Sequence, residues 1–310
     1  MSSASVIAPA FQGAQQAFEI RPLAGDVGAE IVGLDLSLPI NDQDFARIHR
    51  AHLDYHVVVF RGQRITPQQQ IDFSRRFGVL QIHVLKQFLL ANHPEILIVS
   101  NIVENGQSIG LGDAGKFWHS DLSYKELPSL GSMLYAQELP AEGGDTLFAD
   151  MHKAYDGLPD ELRKAIDGRK ASHSYTARYS ETKFEGNWRP TLTAEQLAQV
   201  RVVDHPIVRT HPETGRKALF VNTAHTTHFD GWTEEESKPL LDFLHVHQIR
   251  PEFTCRFAWR VGSLALWDNR CAQHYPLNDY HGHRRIMHRI TLAGDVPFAA
   301  TDGNSQPAGV

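Results

Sequence analysis

Leu264-Ala265-Leu266-Trp267-Asp268 is a short apolar run closed by an aspartate, and Asn269-Arg270-Cys271-Ala272-Gln273-His274 follows it directly. A run of this length, bounded by turn-forming residues, reads as a buried strand with His274 near its end. Similar runs lie on both sides. Upstream are Ile207–Arg209, Ala218–Asn222 and Thr254–Arg260; downstream is His288–Leu292. Thr210-His211-Pro212-Glu213-Thr214-Gly215 reads as a hairpin turn between the first two. In the first half, Ile31–Leu34, Val57–Phe60, Ile96–Val99, Ser132–Ala136 and Thr146–Ala149 share the same Val, Ile, Leu and aromatic bias. Helices are fewer. Asn41–Tyr55 carries Phe45, Ile48, His49 and Leu53 at helical spacing, and Pro159–Ile166 is a short helix ended by Gly168. Thr66-Pro67-Gln68-Gln69 and Thr233-Glu234-Glu235-Glu236 are capping boxes that open two more. Strands and helices do not alternate regularly, which disfavours a parallel doubly wound sheet. The pattern predicts a mainly β fold with flanking helices, an antiparallel sandwich or jelly roll.

A chain of 310 residues has room for one large or two small domains and for a core that needs no staples. No repeat and no Pro-, Gly- or Ser-rich linker divides it. A single domain over residues 17–298 is expected, with disordered tails at 1–16 and 299–310. Hydrophobic residues are 42% and charged residues 21%, which excludes a largely disordered chain. A net charge of −6 argues against nucleic-acid recognition through the overall field. The N-terminus lacks a basic segment followed by an apolar one, and no stretch reaches the roughly 18 apolar residues of a membrane span. A cytoplasmic protein engaging neither nucleic acid nor membrane is expected. The two cysteines, Cys255 and Cys271, can build neither a disulfide scaffold nor a CxxC site. They read as buried thiols in a reducing compartment.

Gly110-Leu111-Gly112-Asp113-Ala114-Gly115 matches the GxGxxG dinucleotide pattern, and with Lys116 it comes one residue short of a phosphate loop. Both patterns need a strand just before and a helix just after. The strand expected here ends near Val99, and Phe117-Trp118-His119-Ser120-Asp121 is a poor helix start. Residues 102–117 are read instead as a glycine-rich, lid-like loop beside the motif that follows.

That motif is His119-Ser120-Asp121. On an extended strand residues i and i+2 point to the same side, so one imidazole nitrogen and one carboxylate oxygen reach one point. His274 is the candidate third ligand. Two histidines and one carboxylate on one face of an octahedron leave three positions open. That suits ferrous iron with a chelating cosubstrate and O2, while zinc accepts the same donors with fewer ligands. Taken alone, the HxD spacing equally describes an ordinary hydrogen-bonded pair. Arg285, within His283-Arg284-Arg285-Ile286-Met287-His288-Arg289, adds a planar fork that can grip a carboxylate in two places. On a strand Arg285 and Arg289 share one face.

Taken in order, these pieces resemble the taurine dioxygenase family of Fe(II)- and 2-oxoglutarate-dependent oxygenases. The resemblance runs from Pro22-Leu23-Ala24-Gly25 to Pro297. It includes Ile65-Thr66-Pro67-Gln68-Gln69-Gln70, Trp118-His119-Ser120-Asp121, Gly143-Gly144-Asp145-Thr146, Val208-Arg209-Thr210-His211-Pro212, Trp267-Asp268-Asn269-Arg270 with His274, and Arg284-Arg285-Ile286-Met287-His288-Arg289. It implies a double-stranded β-helix of the jelly-roll, cupin-like type. It implies iron held by His119, Asp121 and His274, and the distal carboxylate of 2-oxoglutarate held by Thr146 and Arg285. No catalytic side chain is expected beyond the metal centre. The implied reaction is hydroxylation of a small anionic substrate by O2, with succinate and CO2 formed and the hydroxylated product fragmenting. A homo-oligomer is the family-level expectation.

The resemblance also implies where the substrate sits. His83 and Arg289 stand at the positions that meet the sulfonate in taurine-type enzymes. Tyr179 fills an aromatic position held there by Phe. His225 stands for Phe and Lys86 for Tyr, and Gly115 stands for Asn, a departure that suggests a roomier pocket. A taurine-like sulfonate is expected first, with an alkyl sulfate or an aryloxyalkanoate as the alternatives. A zinc-dependent hydrolase on the same triad would leave Thr146 and Arg285 without a task, and a jelly-roll binding protein would not need the triad.

Overall fold

The structure is a computed structural model describing residues 13–23, 25, 27–112, 115–177, 193, 195 and 201–300. Tyr179 and most of the two expected tails lie outside the described residues. Within them the chain is mainly β with a few helices. The largest sheet has nine strands. Its order is Glu19–Pro22, Ala29–Val32, Val57–Phe60, Leu264–Asp268, Ser129–Glu138, Ile286–Ala293, His93–Ser100 and Leu89–Leu90, with Leu80–Gln81 pairing the Ile286–Ala293 strand separately. Neighbours are antiparallel except Ala29–Val32 beside Val57–Phe60. A second sheet sets Thr146–Asp150 between Thr254–Phe257 and Ala272–Pro276.

Strand alternation decides what each face of the large sheet covers. Val58, Phe60, Met133, Tyr135, Ile290 and Leu292 pack against Ile48 and Ala51 of the Asp42–Tyr55 helix and Ile71 and Phe73 of the Pro67–Arg75 helix. The intervening residues, Val57, Val59, Leu134, Ala136 and Met287, pack against Phe148, Cys255 and Phe257 of the second sheet. The large sheet is therefore a middle layer, buried on both faces, and its continuous apolar strands reflect that. Ser132 and Arg289 fall in the same alternation as Leu134 and Met287. Their side chains are thereby directed between the two sheets.

The helices begin where the sequence places their caps. Asn41 caps Asp42–Tyr55, and Thr66 and Thr233 make reciprocal capping boxes with Gln69 and Glu236. Three differences from the sequence reading matter for the site. A short helix, Met151–Asp156, is capped by Asp150, whose carboxylate accepts from the backbone of His152 and Lys153. The strand beginning at Leu264 stops at Asp268, because that carboxylate accepts from the backbone N–H of Arg270 and turns the chain. His274 then lies in the middle of a separate strand, Ala272–Pro276, and does not end the first. The segment 102–117 contains a hairpin, Val103–Glu104 against Gln107–Ser108, turned by Asn105 and Gly106, both with positive φ. Backbone bonds from Leu111 to Ile98 and from Ser100 to Leu111 pin it to the large sheet.

Candidate metal centre

His119 and His274 oppose each other in an isolated antiparallel bridge, joined by backbone hydrogen bonds of 3.2 and 2.9 Å. Their ring centroids are 4.1 Å apart. Asp121 reaches the same point by a different route from the one strand alternation implies. It lies in a turn where Leu122 has φ 60°, and its Oδ1 ends 3.6 Å from His119 Nε2. One donor atom from each of His119, Asp121 and His274 lies within 4.8 Å of the others, and all three residues are buried.

The surroundings set the charge of each donor. His119 Nδ1 donates to the Phe117 carbonyl at 2.8 Å, which leaves Nε2 with the lone pair. Burial holds His274 neutral well below the usual imidazole range, helped by neighbouring His119. Burial would raise the Asp121 carboxyl, but the Arg289 guanidinium at 2.8 Å and the two histidines outweigh it and hold the group well below the carboxylate range. The set is one carboxylate and two imidazoles gathered at one buried point. Its chemistry fits a divalent iron with open positions.

Asn269 was not singled out from sequence, yet it ties this point together. Its Oδ1 accepts from the Asp121 backbone at 3.2 Å and from Trp267 Nε1 at 3.0 Å, and its Nδ2 donates to Ser129 Oγ at 3.2 Å. Ser132 donates to Asp121 Oδ2 at 2.7 Å. A polar residue straight after a buried apolar strand is the signal that could have marked Asn269.

Thr146 opens the middle strand of the second sheet, directly across from Pro276, two residues past His274. Its hydroxyl accepts from Trp259 Nε1 at 3.0 Å. Arg285 is buried just ahead of the Ile286–Ala293 strand, so its side chain is not placed by regular alternation with Arg289. Its Nε has no partner among the described residues. Gly144, two residues before Thr146, meets it: a Cβ there would stand 3.3 Å from Arg285 Nε. A buried guanidinium with an unpartnered donor is costly, and a carboxylate is the natural complement.

The substrate candidates divide. Arg289 lies against Asp121 and leaves its own Nε without a partner among the described residues. His83 is half-buried, and burial followed by the charges of Arg289 and Lys125 pulls it down to about 4, so it meets a ligand as a neutral ring. His225 borders the centre, its ring 6.4 Å from His119 and 4.8 Å from Tyr124. Lys86 is exposed in a one-turn helix. Tyr179 lies outside the described residues. Gly115 does not open a roomier pocket. Its φ is 104°, and an added Cβ would stand 2.7 Å from His119 Cε1 and 3.1 Å from Pro276 Cγ, so the His119 and Pro276 rings close in on that position. Gly115→Ala is expected to push the His119 ring aside and weaken Fe(II) binding by about tenfold or more, and to cost about 1–3 kcal/mol of stability through backbone strain at that φ. Wild-type iron affinity in that variant would remove this role from the glycine.

The family described as "Taurine catabolism dioxygenase TauD, TfdA family" matches residues 19–291. The chain belongs to this family. It is 33% identical over 293 residues to the alpha-ketoglutarate-dependent sulfate ester dioxygenase of Pseudomonas putida, covering 90% of each chain. It is 33% identical over 288 residues to the alpha-ketoglutarate-dependent 2,4-dichlorophenoxyacetate dioxygenase of Cupriavidus pinatubonensis, covering 89% of this chain and 97% of that one. A solved taurine dioxygenase from Burkholderia xenovorans superposes with a TM-score of 0.77 at 33% identity, over 93% of this chain and 92% of that one. AAD-2, solved with Mn(II) and N-oxalylglycine, gives 0.76 at 30% identity, over 91% and 99%.

Proposed function

We propose that this chain is an Fe(II)- and 2-oxoglutarate-dependent dioxygenase that hydroxylates a small anionic organic substrate, releasing succinate and CO2. The convergence of His119, Asp121 and His274 between two sheets carries the reading. Iron bound there would supply the O2 chemistry, with open positions left by a three-donor protein set. The protein's part is orientation. Asn269 and Ser132 fix the carboxylate, and the Phe117 carbonyl fixes the His119 tautomer. Arg285 and Thr146 bind the distal carboxylate of 2-oxoglutarate. His83, Arg289, Tyr179 and His225 surround the substrate, with Arg289 at its anionic end. The two packed sheets form a double-stranded β-helix, residues 17–298 act as one oxygenase domain, and 102–117 covers the site. Among the described residues no helix is long and apolar enough to cross a membrane.

A taurine-like sulfonate remains the first substrate. The relatives named for sulfate esters favour an alkyl sulfate, which ends in a similar sulfonyl anion, and those named for phenoxy acids favour an aryloxyalkanoate. The deciding experiment is anaerobic titration with Fe(II) and 2-oxoglutarate, then O2 with a panel of these three classes, reading succinate. A visible charge-transfer band with turnover stimulated by one class supports the reading. Iron bound without a band and without succinate would overturn it.

Arg285→Ala is expected to raise the 2-oxoglutarate concentration needed for half-maximal turnover by about 10- to 100-fold, the worth of one charge-assisted contact. Fe(II) affinity should hardly move. An unchanged 2-oxoglutarate requirement would take that contact away from Arg285.

A further inference from the structure

A second group of donors lies apart from the centre just described and shares no residue with it. His56, His152 and Cys271 each place one donor atom within 4.8 Å of the others. All three are buried, with exposures of 2%, 0% and 1%. They come from three separate segments. His56 ends the Asp42–Tyr55 helix in left-handed backbone, His152 lies in the first turn of Met151–Asp156, and Cys271 sits in the turn between Leu264–Asp268 and Ala272–Pro276.

Hydrogen bonds at the outer edges decide which nitrogens face inward. His152 Nδ1 donates to the Lys217 carbonyl at 2.7 Å, so Nε2 carries the lone pair. That Nε2 is buried and has no partner among the described residues. His56 Nδ1 stands 3.3 Å from Cys271 Sγ, while its Nε2 is 3.5 Å from Asp150 Oδ2. Metal-binding histidines are held this way: the outer nitrogen donates to a carbonyl or carboxylate and the inner one faces the ion. His119 shows the same arrangement with Phe117.

A third trio, His211, Asp268 and Cys271, is close in space but is already spent. Arg270 takes both Asp268 oxygens, and His211 Nε2 bonds to one of them at 3.0 Å.

We propose that His56, His152 and Cys271 form a buried three-donor site for Zn2+. Thiolate and imidazole donors suit a borderline-soft d10 cation, and a fourth, non-protein ligand completes its tetrahedron. Binding replaces the Cys271 S–H with an S–Zn bond and releases one proton to solvent. The ion would cross-link the helix layer, the second sheet and the turn that leads into the strand of His274.

The test uses the full-length chain produced in zinc-supplemented medium and dialysed against a chelator that strips the open centre. About one zinc per chain should remain. Refolding with Co2+ should give a near-ultraviolet thiolate-to-cobalt charge-transfer band. Cys271→Ser should lose the band and the retained zinc, while Cys255→Ser and His119→Ala keep both. Wild-type protein with no retained zinc and no thiolate band would overturn the site, whether or not any variant folds. So would zinc that disappears in His119→Ala, since that places it in the open centre.

Discussion

His119→Ala is expected to leave a folded protein with no measurable 2-oxoglutarate turnover. The loss should exceed about a thousandfold, or ~4 kcal/mol of transition-state stabilisation, because the open centre no longer holds its iron. His119 is the cleanest of the three donors to remove. Its ring donates to the Phe117 carbonyl and otherwise lies against the His274 ring, 4.1 Å away, and the Asp121 carboxylate. Asp121→Ala is a poorer probe, since it also leaves the Arg289 guanidinium without the carboxylate 2.8 Å away. Destabilisation and lost chemistry would then arrive together. For His119→Ala, iron titration and succinate formation should fail while the far-ultraviolet circular dichroism and melting curve stay near those of wild type. Turnover surviving in this variant would show that His119 is not a ligand.

Much of this centre was legible in the sequence, and the reasons differ by residue. The HxD spacing and the later His274 identified themselves by residue type, yet their convergence depends on a bridge between positions 119 and 274 that no local pattern encodes. The strands Val57–Phe60 and Leu264–Asp268 fall where their apolar runs predict, because both are buried on two faces and the run has no polar interruption. The Ala272–Pro276 strand was missed. Ala, Gln and His carry little strand signal, and its place comes from pairing with Thr146–Asp150. Gly115 was misread for a related reason. Substitution by the smallest residue suggests space, but here the His119 and Pro276 side chains already close in on it. Asn269 went unnoticed because its work is done through partners far along the chain: Asp121, Ser129 and Ser132.

The largest stability effect is expected at Asp268, outside the donor sets proposed for both metal sites. Its carboxylate is wholly buried and receives Arg270 through Nε at 2.8 Å and Nη2 at 2.6 Å, with His211 Nε2 at 3.0 Å. Arg270 in turn donates to Glu213 at 2.7 Å. Asp268→Ala leaves that guanidinium buried with one exposed-side partner, and should cost about 3–5 kcal/mol of unfolding free energy. Against a typical total of about 5–15 kcal/mol this is a large fraction. By contrast, Asp54→Ala, which breaks the exposed Arg50–Asp54 pair, should cost about 0.5 kcal/mol or less. Urea unfolding of the two variants beside wild type gives the comparison. The pH dependence has a definite sign. Burial would raise the Asp268 carboxyl, but the charge and hydrogen bonds of Arg270, then His211, hold it well below its ordinary value. A group whose folded pKa is depressed contributes its stability above the unfolded pKa, near 3.9, and loses it as pH falls toward the folded value. Wild type should therefore lose stability on acidification through that window, and Asp268→Ala should lose less. A variant within about 1 kcal/mol of wild type at neutral pH, with the same acid limb, would mean the network does not anchor the turn. The turn matters beyond stability, because Asp268 and Arg270 set the path of the chain into Ala272–Pro276, and His274 reaches the open centre only from that strand.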